Sequence, residues 1–409
     1  MTNEHRPCGR MTRRNLLANT GLAALGAVLL PRVGRAWNAP ASPVALARCQ
    51  SYGAELLPTL ARMFDQVGGL GRLVKGKTVA IKINLTGDPD GRVGYLPIGL
   101  TTWTNPTLIA ATIHLMGNAG ARRIRLLESP WKSVQPVQEF ITAAGWDPAL
   151  FTGAAANVEF ENTNFLGQGT RYSRFPVPHG GHLFPAFDLN HSCEDCDVFV
   201  SIAKLKEHLT AGITLSMKNC FGITPCTIYG DGAPVDEPGL VPLGGRFPIH
   251  SGSRQPPKSS LPENDPKSPR EGGYRVPRCV SDLVAARPIH LAIIDGIESQ
   301  TGQETVGPMA KHVTPHVLVA GTNPVCVDAV GAAVMGFDPM ADRGTAPFEF
   351  CDSTLRLAEE LGVGTRDLKR IEVIGARIAD LVFDFRKEGY PIPREVPGHD
   401  RPAPPPKKG

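Results

Sequence analysis

The sequence predicts an α/β protein: a single large domain with a mostly parallel β-sheet, helices on both faces of the sheet and one long irregular insertion. Short apolar runs that end in charged or polar residues alternate with helical patterns along the chain. This alternation is typical of a parallel sheet that is covered on both faces. One stretch, residues 230–275, breaks the alternation because it is rich in proline, glycine and charges of both signs. A stretch of this kind is a lid, a binding loop or a disordered insertion.

The elements follow from local patterns in chain order. Asn105 is a plausible helix cap with Pro106 in the first turn, and Gly120 ends that helix. The expected strands are 79–84, 123–127, 198–203, 290–294, 317–320 and 371–374. The expected helical segments are 52–67 (interrupted at Pro58), 105–118, 139–144, a helix that carries Thr210, Thr214 and Lys218, 328–335 and 355–361.

The first 36 residues have the features of a twin-arginine export signal and lie outside the predicted domain, 37–388. Residues 12–17, TRRNLL, match the export pattern, and the apolar stretch that follows is too short for a stable membrane span. We expect export by the twin-arginine export machinery, cleavage after Ala36, and a periplasmic or other extracytoplasmic location. A short anchor helix that is never cleaved is the alternative, and Met11 is a second candidate start. Residues 389–409 are expected to form a flexible proline-rich tail.

The charge balance argues against nucleic acid as a partner. The 409-residue chain has a net charge of +4, but the first 36 residues hold six arginines and one glutamate. The remainder therefore carries 37 basic and 38 acidic side chains, a net charge of −1. A nearly neutral chain without a long basic run does not fit the phosphate backbone.

The most informative stretch is 197–222, DVFVSIAKLKEHLTAGITLSMKNCFG. Its apolar run is expected to be a strand buried on both faces, after which Lys204, Lys206 and His208 occupy alternate positions and so project to one side. Thr210, Thr214 and Lys218 are spaced by four, as on one face of a helix. Ammonium groups, an imidazole and hydroxyls at one strand-to-helix junction suit an anion at the carboxyl edge of a parallel sheet.

Several segments together resemble the domain of unknown function 362 family. They are AIKINL, KLKEH, GITLSMKNCFGI, IIDGI and GTNPVCVDAVGAAVMGFDP, and the resemblance extends from about residue 75 to 375. The family's characteristic positions fall on Lys82, Asn84, Lys204, Lys206, His208, Lys218, Asn219, Gly222, Asp295 and Asp328. The resemblance implies no settled activity. Many relatives carry a ferredoxin-like module, but this chain lacks its cysteine run, so a ferredoxin-type iron–sulfur cluster is not expected.

We assign hypothetical roles to nine residues. Those expected to be catalytic are His208, Lys206 and Lys218; those expected to bind substrate are Lys82, Asn84, Lys204 and Asn219; Asp295 and Asp328 are candidate ligands of a divalent metal. Each assignment has an alternative. The lysines could be solvated loop residues with a packing histidine, and the aspartates could be counter-ions of the lysines or caps of the next turn or helix.

Four cysteines flank the central strand. Cys193 and Cys196 form a C-x-x-C pair before it, while Cys220 and Cys226 follow the predicted helix. Their spacing fits no ordinary zinc or iron site. Structural disulfides, buried thiols and a redox dithiol are the open alternatives.

The sequence therefore predicts an exported enzyme that acts on a small anionic substrate at a site lined by lysine and histidine. A divalent metal is a candidate cofactor. The common nucleophile and nucleotide-binding motifs, such as G-x-S-x-G and the Walker loop, are missing. Two alternatives are a binding protein for an anion or cofactor without turnover, and a redox accessory protein that uses Cys193 and Cys196.

Overall fold

A computed structural model describes residues 39–130 and 134–388. The export signal predicted for 1–36 and the tail predicted for 389–409 lie outside these residues. The strands are β1 Val44–Arg48, β2 Thr78–Lys82, β3 Arg123–Glu128, β4 Val158–Asn162, β5 Ser173–Pro176, β6 Ala186–Leu189, β7 Val198–Lys204, β8 Glu207–His208, β9 Gly212–Ile213, β10 Leu291–Gly296, β11 Ser299–Thr301, β12 Lys311–Val313, β13 Val317–Gly321 and β14 Val373–Gly375.

Eight strands form one sheet in the order β14-β1-β13-β10-β7-β2-β3-β4. The five strands from β10 to β4 pair in parallel, and β13 is antiparallel to both of its neighbours. The outermost pair, β1 and β14, is again parallel. This mostly parallel sheet confirms the predicted fold class. The carboxyl ends of β2, β3, β7 and β10 consequently lie along one edge.

A hydrophobic core covers each face of the sheet. In β7 the side chain of Phe199 belongs to one core, while Val198, Val200 and Ile202 belong to the other. Neighbouring side chains of a strand point to opposite faces, so a strand buried on both faces is apolar along most of its length. All seven residues of β7 are buried, as the apolar run predicts.

Helices supply the outer layer of both cores. Those that pack on the Val198 side are Leu56–Gln66, Leu70–Val74, Pro106–Asn118, Val137–Ala143 and Ala149–Thr152. Those that pack on the Phe199 side are Leu215–Asn219, Cys226–Tyr229, Phe247–Ser251, Gly272–Ala286, Pro324–Val334, Thr354–Glu360, Ile378–Leu381 and Phe385–Glu388. A short helix, Ile98–Thr101, precedes Pro106–Asn118. Helices on both faces of the sheet are therefore confirmed.

The helix that begins at Pro106 shows how local sequence sets an element. The Asn105 side chain accepts a hydrogen bond from the Thr107 N–H, and Pro106 occupies the first turn. The predicted cap is thus confirmed. By contrast, the helix Gly272–Ala286 is not predicted from the sequence, because Gly272, Gly273 and Pro277 all disfavour a helix.

The prediction of a single helix through Thr210, Thr214 and Lys218 is wrong. The chain instead forms the two-stranded hairpin of β8 and β9, and a five-residue helix starts only at Leu215. Gly212 has φ +73°, a left-handed conformation that interrupts a helix. The spacing by four is therefore coincidental.

In the described residues no helix is long and apolar enough to span a bilayer.

Candidate functional site

A cavity of about 510 Å³ opens at the carboxyl edge of the sheet. Lys82 and Glu128, the last residues of β2 and β3, lie at its base. The hairpin, the helix Leu215–Asn219 and the loops that carry Leu85–Gly87 and Glu304–Thr305 supply further walls. The 230–275 insertion closes another side with Arg246, Phe247, His250, Ser251 and Gly272. The insertion thus takes part in the site.

A buried network joins the base of the cavity to the short helix. The Lys82 ammonium donates to Glu128 Oε1 at 2.7 Å and to the Ile83 carbonyl at 2.5 Å. The Asn84 amide donates to Asn219 Oδ1 at 3.0 Å. Glu128 also accepts hydrogen bonds from the Leu85 and Ser129 N–H groups. Lys82 is therefore neutralised by a carboxylate, and its charge is not available in full to a ligand.

Lys218 differs from the other cations of the cavity in its contacts. Its ammonium lies 4.3 Å from the centroid of the Phe221 ring, a favourable cation–π contact. In the described parts of the chain no hydrogen-bond acceptor or ion-pair partner contacts it. Burial lowers the pKa of Lys218 to about 8, and the nearby Arg246 and Lys82 charges act in the same direction while Glu304 opposes them.

Arg246 brings a second positive charge that sequence reasoning missed. Its guanidinium donates to five neutral oxygens: the Thr224 carbonyl and hydroxyl, the Ser129 hydroxyl, Asn164 Oδ1 and the Gly222 carbonyl. The structure shows no carboxylate within ion-pair distance of this guanidinium among the residues it describes. No sequence signal marks Arg246, because its position depends on how the insertion folds back.

Two histidines in the cavity have opposite hydrogen-bond roles. His208 Nδ1 accepts a hydrogen bond from the Thr210 N–H at 3.1 Å, so the proton of the neutral ring is on Nε2. His250 Nδ1 lies 2.7 Å from the Arg246 carbonyl oxygen, which can only accept, so Nδ1 carries the proton. Burial and the Lys218 charge lower the pKa of His250 to about 4. One ring therefore offers a donor nitrogen and the other an acceptor nitrogen.

Lys204 and Lys206, which the alternation placed on one side with His208, do not line the cavity. The Lys204 ammonium lies 3.0 Å from Asp295 Oδ2 and 3.2 Å from the Tyr52 hydroxyl. Lys206 donates to the Thr102 carbonyl at 2.7 Å and to the Glu304 carbonyl at 2.8 Å. Burial lowers the pKa of Lys206 to about 7. The Lys206 ammonium thus connects the Thr102 and Glu304 segments by hydrogen bonds. The substrate-binding role of Lys204 and the catalytic role of Lys206 stay predictions.

The two aspartates belong to separate networks. Asp295 accepts from Tyr52, Lys204 and the Asn105 N–H. Asp328 accepts from the Ser216 and Met217 N–H groups and the Ser216 hydroxyl, and thereby holds the first turn of the short helix. Burial raises its pKa to about 7.

Among the residues described, no group of three or more His, Cys, Asp and Glu side chains is arranged to hold a metal. The metal role of Asp295 and Asp328 stays a prediction. Their contacts instead match the counter-ion and cap alternatives.

The cysteines within the described residues are free thiols. Cys193 is buried, and its burial raises its pKa. The thiol of Cys196 also has a raised pKa because of burial, although Arg287 lies 2.9 Å from its sulfur. Reactive thiols have lowered pKa values and open access, so these contacts do not favour the redox alternative.

The predicted site residues that meet in the cavity are Lys82, Asn84, His208, Lys218 and Asn219. Thr210 and Thr214 join them by way of the hairpin rather than a helix face. Arg246, His250 and Glu304 are the residues that sequence reasoning did not identify.

The model of a family described as domain of unknown function (DUF362) matches residues 79–333, which is more than half of the chain. A thylakoid-associated protein of Synechocystis sp. is 31% identical over 185 residues, which make up 44% of this chain and 50% of that protein. The chain thus spans about half the length of this curated relative.

Two solved structures share a distant likeness. The lactate racemase apoprotein of Thermoanaerobacterium thermosaccharolyticum is 14% identical with a TM-score of 0.34, over 69% of this chain and 54% of that one. A protein of Thermotoga maritima is 11% identical with a TM-score of 0.32, over 66% and 56%. Likeness at this level carries no argument about activity.

Proposed function

The chain belongs to the domain of unknown function 362 family, and we propose that its cavity binds a small organic anion and acts on it by proton transfer. The observation that carries this proposal is Lys218: a cation in a largely buried cavity, without an acceptor among the described residues. An ammonium removed from water loses solvation free energy that an anionic ligand would restore.

The charges around the cavity support an anion over a cation. Glu128 is paired with Lys82 at its base. Lys218 and Arg246 contact no carboxylate within the described chain, whereas Glu304 is the remaining acid in the wall. Glu304 already accepts a hydrogen bond from the Leu209 N–H. The net charge of the residues that line the cavity is therefore positive. The low dielectric of a cleft strengthens the attraction of this charge for an anion.

The same cavity has groups suited to proton transfer. The pKa of Lys218, about 8, is close to neutral pH, as an effective acid–base catalyst requires. His208 offers a donor nitrogen and His250 an acceptor nitrogen on the same cavity. In this proposal Lys218 and Arg246 hold the anion while Lys218 and His208 transfer protons.

The first experiment measures binding. We expect a panel of small mono- and dicarboxylates and inorganic phosphate, tested by isothermal titration calorimetry, to include ligands of the wild-type protein. Lys218→Met should lower their affinity at least tenfold, since one charge-assisted contact is lost. Lys369→Met, at an exposed lysine away from the cavity, is the matched control and should bind as the wild type does. Equal affinities for the Lys218 and Lys369 variants would refute the anion site.

The second experiment separates an enzyme from a binding protein. A ligand found by calorimetry is incubated with wild-type protein and with His208→Ala, and its chemical change is followed by NMR. Conversion by the wild type that the variant loses supports catalysis. A ligand that binds tightly but is never changed would show the alternative, a binding protein without turnover.

We also propose twin-arginine export, on the strength of Arg13 and Arg14 within the TRRNLL pattern. A reporter fused to residues 1–36 should leave the cytoplasm, and changing both arginines to lysine should retain it. Export that survives this double change would refute the route.

A further inference from the structure

Asn219 has one amide orientation that satisfies its neighbours. Its Nδ2 lies 3.1 Å from the Lys82 carbonyl oxygen and 3.2 Å from the Ile202 carbonyl oxygen, and both can only accept. The Ser201 hydroxyl, 3.0 Å away, gives its own proton to the Ser216 carbonyl and therefore also accepts. Three acceptors around one atom identify it as the nitrogen. Asn219 Oδ1 must then point the other way.

The orientation of Asn84 follows from that of Asn219. Asn219 Oδ1 lies 3.0 Å from one end of the Asn84 amide, and an acceptor requires a donor there. This end is therefore Asn84 Nδ2. The Lys82 ammonium, 3.4 Å from Asn219 Oδ1, agrees because it can only donate. The amide oxygen of Asn84 is thereby left at the opposite end.

Asn84 Oδ1 is the acceptor of this network that receives no hydrogen bond from the described residues. Asn84 lines the cavity and is only 3% exposed. Its Oδ1 has no hydrogen-bond partner among the described residues. A buried carbonyl oxygen without a donor destabilises a protein, and such atoms are rare in native structures. A donor supplied from the cavity would satisfy it.

We propose that the anion bound in this cavity carries a hydroxyl group that donates to Asn84 Oδ1, which makes the ligand class a small hydroxycarboxylate. The inference rests on the proposed function, because the carboxylate is the group held by Lys218 and Arg246. A hydroxyl fits better than an ammonium group, since Lys218 and Arg246, which contact no carboxylate in the described chain, line the same cavity and repel a second cation. A ligand without the hydroxyl leaves Asn84 Oδ1 without a hydrogen bond. The cavity should therefore bind a ligand that carries the hydroxyl more tightly than one that lacks it.

The experiment compares matched ligands that differ by one hydroxyl. Succinate and malate form one pair, and glutarate and 2-hydroxyglutarate form the other; affinities are measured by calorimetry at pH 7. The wild type should bind the hydroxylated member of a pair about tenfold more tightly. Asn84→Ala should bind the two members of a pair equally, because it removes the acceptor that distinguishes them. Lys218→Met should weaken both members by one factor and keep their ratio.

Three outcomes decide the matter. Equal affinities of the two members for the wild type would overturn the hydroxyl inference while leaving the anion site intact. A hydroxyl preference that survives in Asn84→Ala would overturn it as well. If neither pair binds the wild type, the proposed anion site itself fails for dicarboxylates, and the hydroxyl inference falls with it.

A ligand-side control covers a variant that does not fold. 2-Methoxysuccinate keeps the oxygen of malate but has no O–H to donate, and it needs no change in the protein. It should bind the wild type no better than succinate. Binding as tight as that of malate would show that donation to Asn84 is not the source of the preference.

Discussion

Three lysines near the carboxyl edge of the sheet have different partners. Lys204 pairs with Asp295, Lys206 donates to two backbone carbonyls, and Lys218 has no acceptor within the described chain. Their burial lowers the pKa of all three, but only Lys218 lines the cavity. The role of each residue thus depends on its neighbours, because a paired ammonium is already neutralised while an unpaired one can attract a ligand.

The Lys218 pKa of about 8 leads to a pH-dependent affinity. Below pH 8 the ammonium is charged and attracts the anion; above pH 8 the free protein loses this charge. Affinity should therefore be flat up to about pH 7 and fall toward pH 9.5, with proton uptake on binding. Calorimetry in buffers of different ionisation enthalpy measures both quantities.

A matched variant tests whether Lys218 is the group that titrates. Lys218→Arg keeps a positive charge at all these pH values, so its affinity should not fall between pH 7 and 9.5. A wild-type affinity that is constant over this range, or an arginine variant that titrates like the wild type, would contradict the assignment.

The hairpin of β8 and β9 is the element that brings His208 and Thr210 to the cavity. Gly212 closes it with φ +73°. A Cβ at this position would lie 2.6 Å from Phe348 Cδ1 and 2.7 Å from the Pro347 carbonyl oxygen. Glycine is therefore required here for two reasons, a left-handed backbone and a close approach of another segment.

Gly212→Ala should lower the free energy of unfolding by about 2–4 kcal/mol, the sum of left-handed strain and a steric clash. Gly344→Ala is the matched control, because Gly344 also has a positive φ, +93°, but a Cβ there meets nothing within 4 Å. It should cost only about 1–2 kcal/mol, for strain alone. Urea unfolding measures the free energy of unfolding of both variants. Equal decreases would contradict the steric contribution of Phe348 and Pro347.

At the scale of the whole molecule, buried ion pairs join neighbouring strands at the edge that carries the cavity. Lys82 on β2 pairs with Glu128 on β3, and Lys204 on β7 pairs with Asp295 on β10. Each pair connects adjacent parallel strands at their carboxyl ends. The chain therefore buries charge along the edge where parallel α/β sheets form their sites.

Lys204→Met should destabilise the protein by about 3–5 kcal/mol, because Asp295 is left buried without its cation. Adding Asp295→Asn removes that charge, so the double variant should be more stable than Lys204→Met by at least about 1 kcal/mol. The double variant should not regain the full stability of the wild type. The asparagine amide has one oxygen, whereas the Asp295 carboxylate accepts hydrogen bonds from Tyr52 and the Asn105 N–H with two. Chemical denaturation of the wild type, both single variants and the double variant checks the expectation; equal stability of Lys204→Met and the double variant would contradict it.

Much of the fold could be predicted from local patterns. Apolar runs identified β2, β3, β7, β10 and β13, and Asn105 with Pro106 identified the start of a helix, because strand alternation and capping are properties of a few adjacent residues. Other elements were not predicted, among them β1, β4 and the helix that contains Pro277. Their sequences are ambiguous alone, and packing against the sheet decides their conformation.

The sequence by itself determined the alternation of strands and helices, the edge of the sheet at which charged residues collect, and five of the nine candidate site residues as residues that line the cavity. Only the tertiary structure decided which charges are paired: Lys204 with Asp295, Lys82 with Glu128, and Lys218 with no acceptor among the described residues. It alone brought Arg246 and His250 from the insertion to the wall of the cavity. The physical reason is range, since periodicity and capping act between neighbours in sequence, whereas ion pairs and cavities form between residues distant along the chain.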